Sequence, residues 1–416
     1  MSFDIVQAAK AAKVASRNIA QLTTDEKNTL LLDIAEHIEA NASSILKENT
    51  KDIENGRTKG LSEAMLDRLL LTESRIKDIA NAIREIVQLT DPVGKVNELS
   101  VRPNGIQVGQ MTIPLGVIAM IYEARPNVTA EAAALCIKSG NAVILRGGSE
   151  ALHSNIALAK CLHESLSNAG VDQNVATVIP DTDRQVIERL LQQRESIDLV
   201  IPRGGEGLIR YVTENSQIPV IQHFKGVCHL YIDKFADVDK AVSILVNGKT
   251  QKPSACNAFE TLLVHNEIAE MFLPMAAKAL EEKHVKVHTC STSKPYFTGA
   301  ELATDEDYHA EYLAHEIAIC VVPSYQEAVA HINQYTSDHT EVIVTQDISR
   351  AQAFIRQINS SVVMVNASSR FSDGGQLGLG SEIGISTSKL HAFGPMGLDA
   401  LTTKKFVVYG DGQVRA

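Results

Sequence analysis

The 416 residues are more than one compact core organises and predict two or three domains. Hydrophobic residues at 44% and charged residues at 21% are those of a globular chain, and the net charge of −11 argues against general nucleic-acid binding. The start carries Asp4 and no basic-then-apolar run, no apolar stretch approaches the ~20 residues of a bilayer span, and the six cysteines are scattered without a Cys-x-x-Cys pair. A cytoplasmic chain is therefore expected, without secretory signal, disulfide framework or metal site.

The N-terminal part predicts helices. Thr23-Thr24-Asp25-Glu26 reads as a capping box, since Glu26 stands three residues after Thr23. Leu30, Ile34, Ile38, Ile45 and Leu46 follow at roughly helical spacing. A second amphipathic run passes through Leu66, Leu69, Leu70, Ile76, Ile79 and Ile83 before Asp91-Pro92-Val93-Gly94 breaks it. Short apolar runs then alternate with helical ones. Residues 116–122 (GVIAMIY), 141–146 (NAVILR), 198–202 (DLVIP) and 227–233 (VCHLYID) predict strands buried on both faces, with helices over 130–139, 153–169 and 184–194. This alternation implies βαβ units and a largely parallel sheet. A second series starts near Lys252, with strands over 261–265, 317–322, 342–345 and 362–366 and helices over 268–283, 326–335 and 348–358. Two α/β halves follow, and clefts between such halves are the usual ligand sites. Residues 101–114 and 401–409 fit neither series and are expected to form an antiparallel arm used in oligomerisation.

Several loops carry candidate chemistry, each with a plainer reading beside it. Tyr122-Glu123-Ala124-Arg125-Pro126-Asn127 caps a strand; the Asn127 amide suits a developing oxyanion or a helix cap. Arg146-Gly147-Gly148 and Arg203-Gly204-Gly205 each follow a strand, as phosphate or ribose contacts or as simple turns. Neither is a GxGxxG fingerprint or a Walker loop, so a standard Rossmann site is not supported. In Lys252-Pro253-Ser254-Ala255-Cys256-Asn257, a thiol stands on a polar loop immediately before a buried strand, where a thiolate nucleophile or an inert buried cysteine both fit. The other five cysteines fall mostly in apolar patterns and read as core. His331, Asp338 and His339 match no metal-ligand spacing well and read as a surface turn. Arg370 and Asp373, in a polar glycine-rich loop, suit the two poles of an amino acid or a flexible connection.

Together these segments resemble the aldehyde dehydrogenase superfamily, and within it the γ-glutamyl phosphate reductase family. The likeness covers essentially the whole chain. It runs through EARPNVT at 123–129, GNAVILRGG at 140–148, IPRGG at 201–205 and KPSACNAFETLLV at 252–264. It continues through VAHINQYTSDHTEVI at 329–343, VNASSRFSDGGQLGLGSEIGIS at 365–386 and KLHAFGPMGLDALTT at 389–403. The resemblance implies an aldehyde dehydrogenase-like α/β fold with two parallel-sheet domains. A variant Rossmann cofactor domain would take 1–95 and 115–250, a catalytic domain 251–385, and a small antiparallel oligomerisation arm 96–114 and 401–416.

It also implies NADPH-dependent reduction of L-glutamyl 5-phosphate to L-glutamate 5-semialdehyde through a thioester on Cys256, the second step of proline biosynthesis. Asn127 would assist the oxyanion. Arg146 would stand where relatives place a lysine on the adenosine ribose, and with Gly147 and Gly148 would suit a 2′-phosphate, hence NADP(H). Arg203, Gly204 and Gly205 join the cofactor contacts, and Glu316 aligns with the glutamate that holds the nicotinamide ribose. Lys252 and Arg125 are the candidates to neutralise departing phosphate, and Arg370 and Asp373 to hold the amino-acid end. Where oxidising relatives carry a water-activating glutamate, this chain has Gln222-His223-Phe224-Lys225-Gly226-Val227, without a carboxylate. That protects a thioester from hydrolysis. A coenzyme A-acylating aldehyde dehydrogenase, which also dispenses with that glutamate, is the alternative enzyme; an inert nucleotide-binding protein is the alternative outside enzymes. A homo-oligomer is expected, and association with glutamate 5-kinase, the source of the labile acyl phosphate, completes the expected partners.

Overall fold

The computed structural model describes residues 3–415, so residues 1–2 and 416, at the outer limits of the expected cofactor domain and arm, lie outside the described residues. The polypeptide divides into two compact units: residues 1–222, 379–385 and 396–416, and residues 223–378 and 386–395.

The first unit opens with five helices, α1 (Ile5–Ile19), α2 (Thr24–Ala40), α3 (Ala42–Thr58), α4 (Glu63–Leu69) and α5 (Glu73–Gln88). The expected capping box starts α2. The Glu26 N–H donates to Thr23 Oγ1 at 3.3 Å and the Thr23 N–H to Glu26 Oε2 at 2.7 Å, so two amide groups that a helix start leaves unsatisfied gain partners. Strands β1 (Val96–Val101) and β2 (Gln107–Pro114) follow, then β3 (Val117–Tyr122), α6 (Pro126–Lys138), β4 (Ala142–Gly147), α7 (Leu152–Asn168), β5 (Ala176–Val178), α8 (Arg184–Leu191), β6 (Leu199–Arg203) and α9 (Glu206–Asn215). The four strands from β3 to β6 form a parallel sheet in the order β5-β4-β3-β6. Connections leave β3 toward both sides of that order, which makes its carboxyl edge a topological switch point. Tyr122 ends β3 in register with Gly147 and with Arg203, so the loops after all three strands meet at one edge. Ile5, Ala9 and Ala12 of α1 pack on Val117, Ala119, Ile144 and Val200, each fully or almost fully buried. Burial of each large apolar side chain is worth about 1.5–3 kcal/mol.

The second unit holds β7 (Cys228–Ile232), α10 (Val238–Thr250), β8 (Phe259–His265), α11 (Asn266–Glu282), β9 (Lys286–Thr289), β10 (Glu301–Leu302), α12 (Asp305–His309), β11 (Glu316–Val322), α13 (Tyr325–Tyr335), β12 (Thr340–Val344), α14 (Ile348–Gln357) and β13 (Val362–Val365). Its seven strands are parallel in the order β10-β9-β11-β8-β7-β12-β13. One apolar layer, including Leu230, Leu262, Phe272 and Ile319, covers one face; Tyr231, Leu263, Ile343 and Phe354 belong to the layer on the other.

Strand 227–233 departs from expectation. It was read as closing the first half, yet Leu230 pairs with Leu262 of β8 and with Val342 of β12, at the middle of the second sheet. The compact units accordingly part at 222/223 rather than at 250/251. Both halves are built from similar apolar strands, so periodicity marks a strand without naming its partners. The elements β5, β9, β10, α9, α10 and α12 also lie outside the predicted ones.

The last strands are β14 (Gly384–Ser386), β15 (Gly394–Met396) and β16 (Thr402–Tyr409); β14 and β15 pair with each other. The arm forms as an antiparallel sheet in the order β1-β2-β16, with Thr402 to Tyr409 paired residue by residue against Pro114 to Gln107.

Candidate active site

In the first unit the expected cofactor residues gather at the carboxyl edge of the four-stranded sheet. Arg146 is almost fully buried. Its Nη1 donates to the Gly147 carbonyl at 2.9 Å and its Nη2 to the Thr182 carbonyl at 3.0 Å, while Nε is buried without a hydrogen-bond partner. Both acceptors are neutral, so no carboxylate bonds this cation directly. The glycines serve close packing: a Cβ at Gly147 would stand 2.1 Å from the Asn155 amide nitrogen, and one at Gly204 would stand 2.6 Å from Glu123 Oε2. Glu123 Oε2 also accepts the Gly205 N–H at 2.9 Å, so the amino end of α9 already faces an anion. Likewise Glu150 Oε1 accepts the Ala124 N–H at 2.6 Å. A pyrophosphate seated on that helix end, as in a standard Rossmann site, would meet Glu123; the absence of a GxGxxG fingerprint agrees with this. Arg203 lies 3.6 Å from Glu382. Asn127 sits in the first turn of α6, where its side-chain amide donates to Glu131 at 3.1 Å. Arg125 stands immediately before this helix, and its side chain makes no capping hydrogen bond.

In the second unit the thiol loop occupies the amino edge of the seven-stranded sheet. Cys256 precedes β8 by three residues, held in tight turns by the Ala255 N–H to the Lys252 carbonyl at 3.1 Å and the Ala258 N–H to the Ala255 carbonyl at 2.9 Å. The Cys228 thiol donates to the Cys256 carbonyl at 3.3 Å. Gly226 approaches from the segment leading to β7: a Cβ there would stand 2.0 Å from the Cys256 carbonyl oxygen and 3.0 Å from Cys256 Cβ. Only a residue without a side chain fits at this distance. Cys256 is half-buried and Lys252 exposed.

The loop carrying Arg370 closes on the same place. The Asn257 side-chain amide donates to the Ser372 carbonyl at 2.8 Å, and Ser369 Oγ donates to the Asn257 carbonyl. Arg370 Nη1 donates to Asn257 Oδ1, and its Nε donates to Gln251 Oε1 at 2.6 Å. Two candidates chosen separately, Cys256 and Arg370, are thus joined through one asparagine. Asp373 is exposed, and its Oδ1 caps a turn by accepting the Gly375 N–H at 3.0 Å. Glu316 opens β11 on the same amino edge, 3.0 Å from Lys286 Nζ and 2.6 Å from His288 Nε2. The His288 contact, ahead of Lys286, holds its carboxyl below the usual carboxylate range.

Carboxylates near the stretch 222–227 come from outside it. The Gly226 N–H donates to Glu311 at 2.8 Å, and the fully buried Glu260 lies 2.6 Å from Lys249 Nζ. Burial raises the Glu260 pKa to about 7 despite that lysine.

Two readings of the sequence are corrected here. The segment around His339 is no surface turn, because His339 is wholly buried just before β12. Its ligating atoms, those of His223 and the Cys256 sulfur all lie within 4.8 Å of one another, and the two imidazole rings are 5.0 Å apart. His223, Cys256 and His339 each stand within five residues before a strand of one sheet, β7, β8 and β12, and a His or Cys in such a loop was the available signal. Second, Cys290 and Cys320 are half-buried rather than core. Hydrogen bonds from Cys320 and Ser293 and the Val321 N–H at 3.3 Å pull the Cys290 pKa well down, while that bond to Cys290 and burial push Cys320 up.

No helix among the described residues is long and apolar enough to cross a membrane. The aldehyde dehydrogenase family model matches residues 2–294. The chain is 73% identical over 414 residues to a gamma-glutamyl phosphate reductase of Colwellia psychrerythraea, with 99% of each chain covered. It is 58% identical over 406 residues to the gamma-glutamyl phosphate reductase of Idiomarina loihiensis, covering 98% of this chain and 97% of that one. Among solved structures, the crystal structure of gamma-glutamyl phosphate reductase from Thermotoga maritima superposes with a TM-score of 0.98 at 42% identity, each chain covered in full. With near-complete coverage at 73% identity and a closely superposing fold, this chain belongs to the aldehyde dehydrogenase family, in its γ-glutamyl phosphate reductase branch.

Proposed function

We propose that the protein reduces L-glutamyl 5-phosphate to L-glutamate 5-semialdehyde and phosphate, with NADPH as reductant and Cys256 as nucleophile, in the second step of proline biosynthesis. The observation that carries this reading is the single assembly of Cys256, Asn257 and Arg370 within a chain 73% identical to a named reductase.

The Cys256 thiolate attacks the acyl carbon, and the carbon–oxygen bond to phosphate breaks. Phosphate departs with the electron pair and leaves a thioester. N–H groups of the thiol loop, with Asn127, stabilise the oxyanion. Lys252, exposed beside the loop, and Arg125 neutralise the departing phosphate. Arg370 takes the α-carboxylate and Asp373 the α-ammonium. After reduction the thiohemiacetal oxyanion expels the Cys256 thiolate, which regenerates the nucleophile and releases the aldehyde without a further proton donor. Glu311 accepts the Gly226 N–H and Glu260 pairs with Lys249, and neither belongs to the stretch 222–227 where oxidising relatives carry the water-activating glutamate.

The nicotinamide cofactor supplies the hydride when bound. The residues fit such a group at the switch point, where Arg146 carries a charge with only carbonyl partners and an orphaned Nε. Arg146, Gly147 and Gly148 would hold its phosphate and adenosine ribose, with Arg203 at the same edge, and Glu316 its nicotinamide ribose; Gly204 and Gly205, which pack on Glu123, would shape that edge without taking a phosphate. An arginine rather than a lysine at 146 favours the 2′-phosphate of NADP(H).

The six free cysteines suit a reducing cytoplasm. The arm supports a homo-oligomer, and the lability of an acyl phosphate is the reason to expect association with the kinase that makes it.

The test runs the reaction in reverse. Purified protein receives glutamate 5-semialdehyde, phosphate and NADP⁺, and reduced nicotinamide is followed by absorbance. Reduction that requires phosphate and disappears in Cys256→Ser supports the proposal. A signal with coenzyme A but none with phosphate would replace it with the acylating reading, and a Cys256→Ser variant with normal turnover would sink the thioester scheme.

A further inference from the structure

We infer that His223, Cys256 and His339 form a binding site for one thiophilic divalent cation of the Zn²⁺ class, which masks the thiol reversibly. The three residues arrive on three separate loops at the amino edge of the seven-stranded sheet, yet their ligating atoms lie within 4.8 Å of one another. A thiolate with two imidazoles is the donor set that Zn²⁺ and Co²⁺ prefer over Mg²⁺ or Ca²⁺, and three protein ligands leave the fourth tetrahedral position to water.

His339 supplies the second observation. The residue is wholly buried and its Nε2 has no hydrogen-bond partner, which is costly unless a ligand completes it. The other nitrogen fixes the tautomer. Thr340 Oγ1 donates to Ser372 Oγ at 2.8 Å, so at 2.7 Å from His339 Nδ1 it accepts the Nδ1 proton. The lone pair therefore stands on Nε2, and the Thr340–Ser372 pair orients the ring as outer partners orient metal-bound histidines. Among the described residues this is the single cluster of this kind.

The site shares Cys256 with the proposed nucleophile, but its test does not depend on turnover. Full-length protein is titrated with Co²⁺ under argon, and the near-ultraviolet thiolate-to-cobalt charge-transfer band is recorded. One equivalent should bind, Zn²⁺ should displace it, and Cys256→Ser should abolish the band. His339→Gln should weaken binding about 10-fold or more, and so should His223→Gln, which serves as the second variant because His339 is buried in the fold. In parallel, Zn²⁺ should abolish phosphate-dependent turnover, and a chelator should restore it. No band at stoichiometric Co²⁺, or unchanged affinity in either folded histidine variant, overturns the proposal.

Discussion

At the thiol loop the sulfur of the proposed nucleophile and its supports come from residues far apart in the chain. Gly226 lies against the Cys256 backbone, Asn257 is held from three sides by Ser369, Arg370 and Ser372, and His339 arrives from the start of β12. Replacing the sulfur itself, Cys256→Ser, should lower turnover by about 10³-fold or more while cofactor binding persists; nucleotide titration and the reverse assay check both. Gly226→Ala forces its new methyl group onto the Cys256 carbonyl and so displaces the loop. It should cost most of the activity with a small change in thermal midpoint, measured side by side. Hydrogen bonds, that from Cys320 first, lower the Cys290 pKa, whereas burial raises those of Cys136, Cys161 and Cys228. Limited iodoacetamide at mildly acidic pH should therefore label Cys290 alongside Cys256 and spare those three, read by peptide mass spectrometry. Labelling of Cys256 alone would contradict the hydrogen-bonded thiolate. The sequence showed Cys256 because a thiol on a polar loop before a strand is a local pattern. It hid Cys290, since that sulfur's donors Cys320 and Val321 lie on the adjacent strand β11.

Helix α13 carries an element-scale consequence. His331, within it, packs against the rings of His229, Tyr308 and Tyr335, with centroids 5.8, 4.8 and 4.5 Å away, and neither of its ring nitrogens has a hydrogen-bond partner. Burial, then His229, lowers its pKa to about 3 from an ordinary 6.5. Below pH 6.5 the unfolded chain binds a proton that the folded protein refuses, so stability falls as pH drops from 6.5 toward 3. The loss is about 2 kcal/mol for His331 by pH 5. Urea midpoints across this range should decline, and His331→Phe should flatten the decline by that amount. A variant with the same slope would show that the ring titrates normally. The amphipathic face and the start of α13 were legible because Tyr325, Ala328 and Ile332 repeat at helical spacing. The environment of His331 was not, since Tyr308 comes from α12, which was not predicted.

For the molecule as a whole, the arm is the feature with an outward consequence. Phe406 is 71%, Val101 70% and Val408 57% exposed on a three-stranded sheet, more apolar surface than an isolated arm leaves in water. Phe406→Asp should shift the protein from oligomer to monomer in light scattering, with unchanged far-ultraviolet circular dichroism. A wild-type protein that already runs as a monomer would refute the proposed role of the arm. The arm was readable as the two stretches belonging to neither α/β series, and its antiparallel pairing of β2 with β16 followed.

What the sequence determined by itself was local or repetitive. It supplied the capping box at Thr23, the two series of apolar strands, the thiol loop and the family likeness, because each is written in residues a few positions apart. Tertiary structure alone decided that β7 joins the second sheet, that Glu123 accepts the Gly205 N–H at the amino end of α9, and that His223 and His339 meet Cys256. Those outcomes depend on strand order and on which loops reach the same edge. Strand pairing joins residues by shape and hydrogen bonding across a hundred or more positions, as between His229 and Glu341, which an apolar period of two or 3.6 residues does not encode.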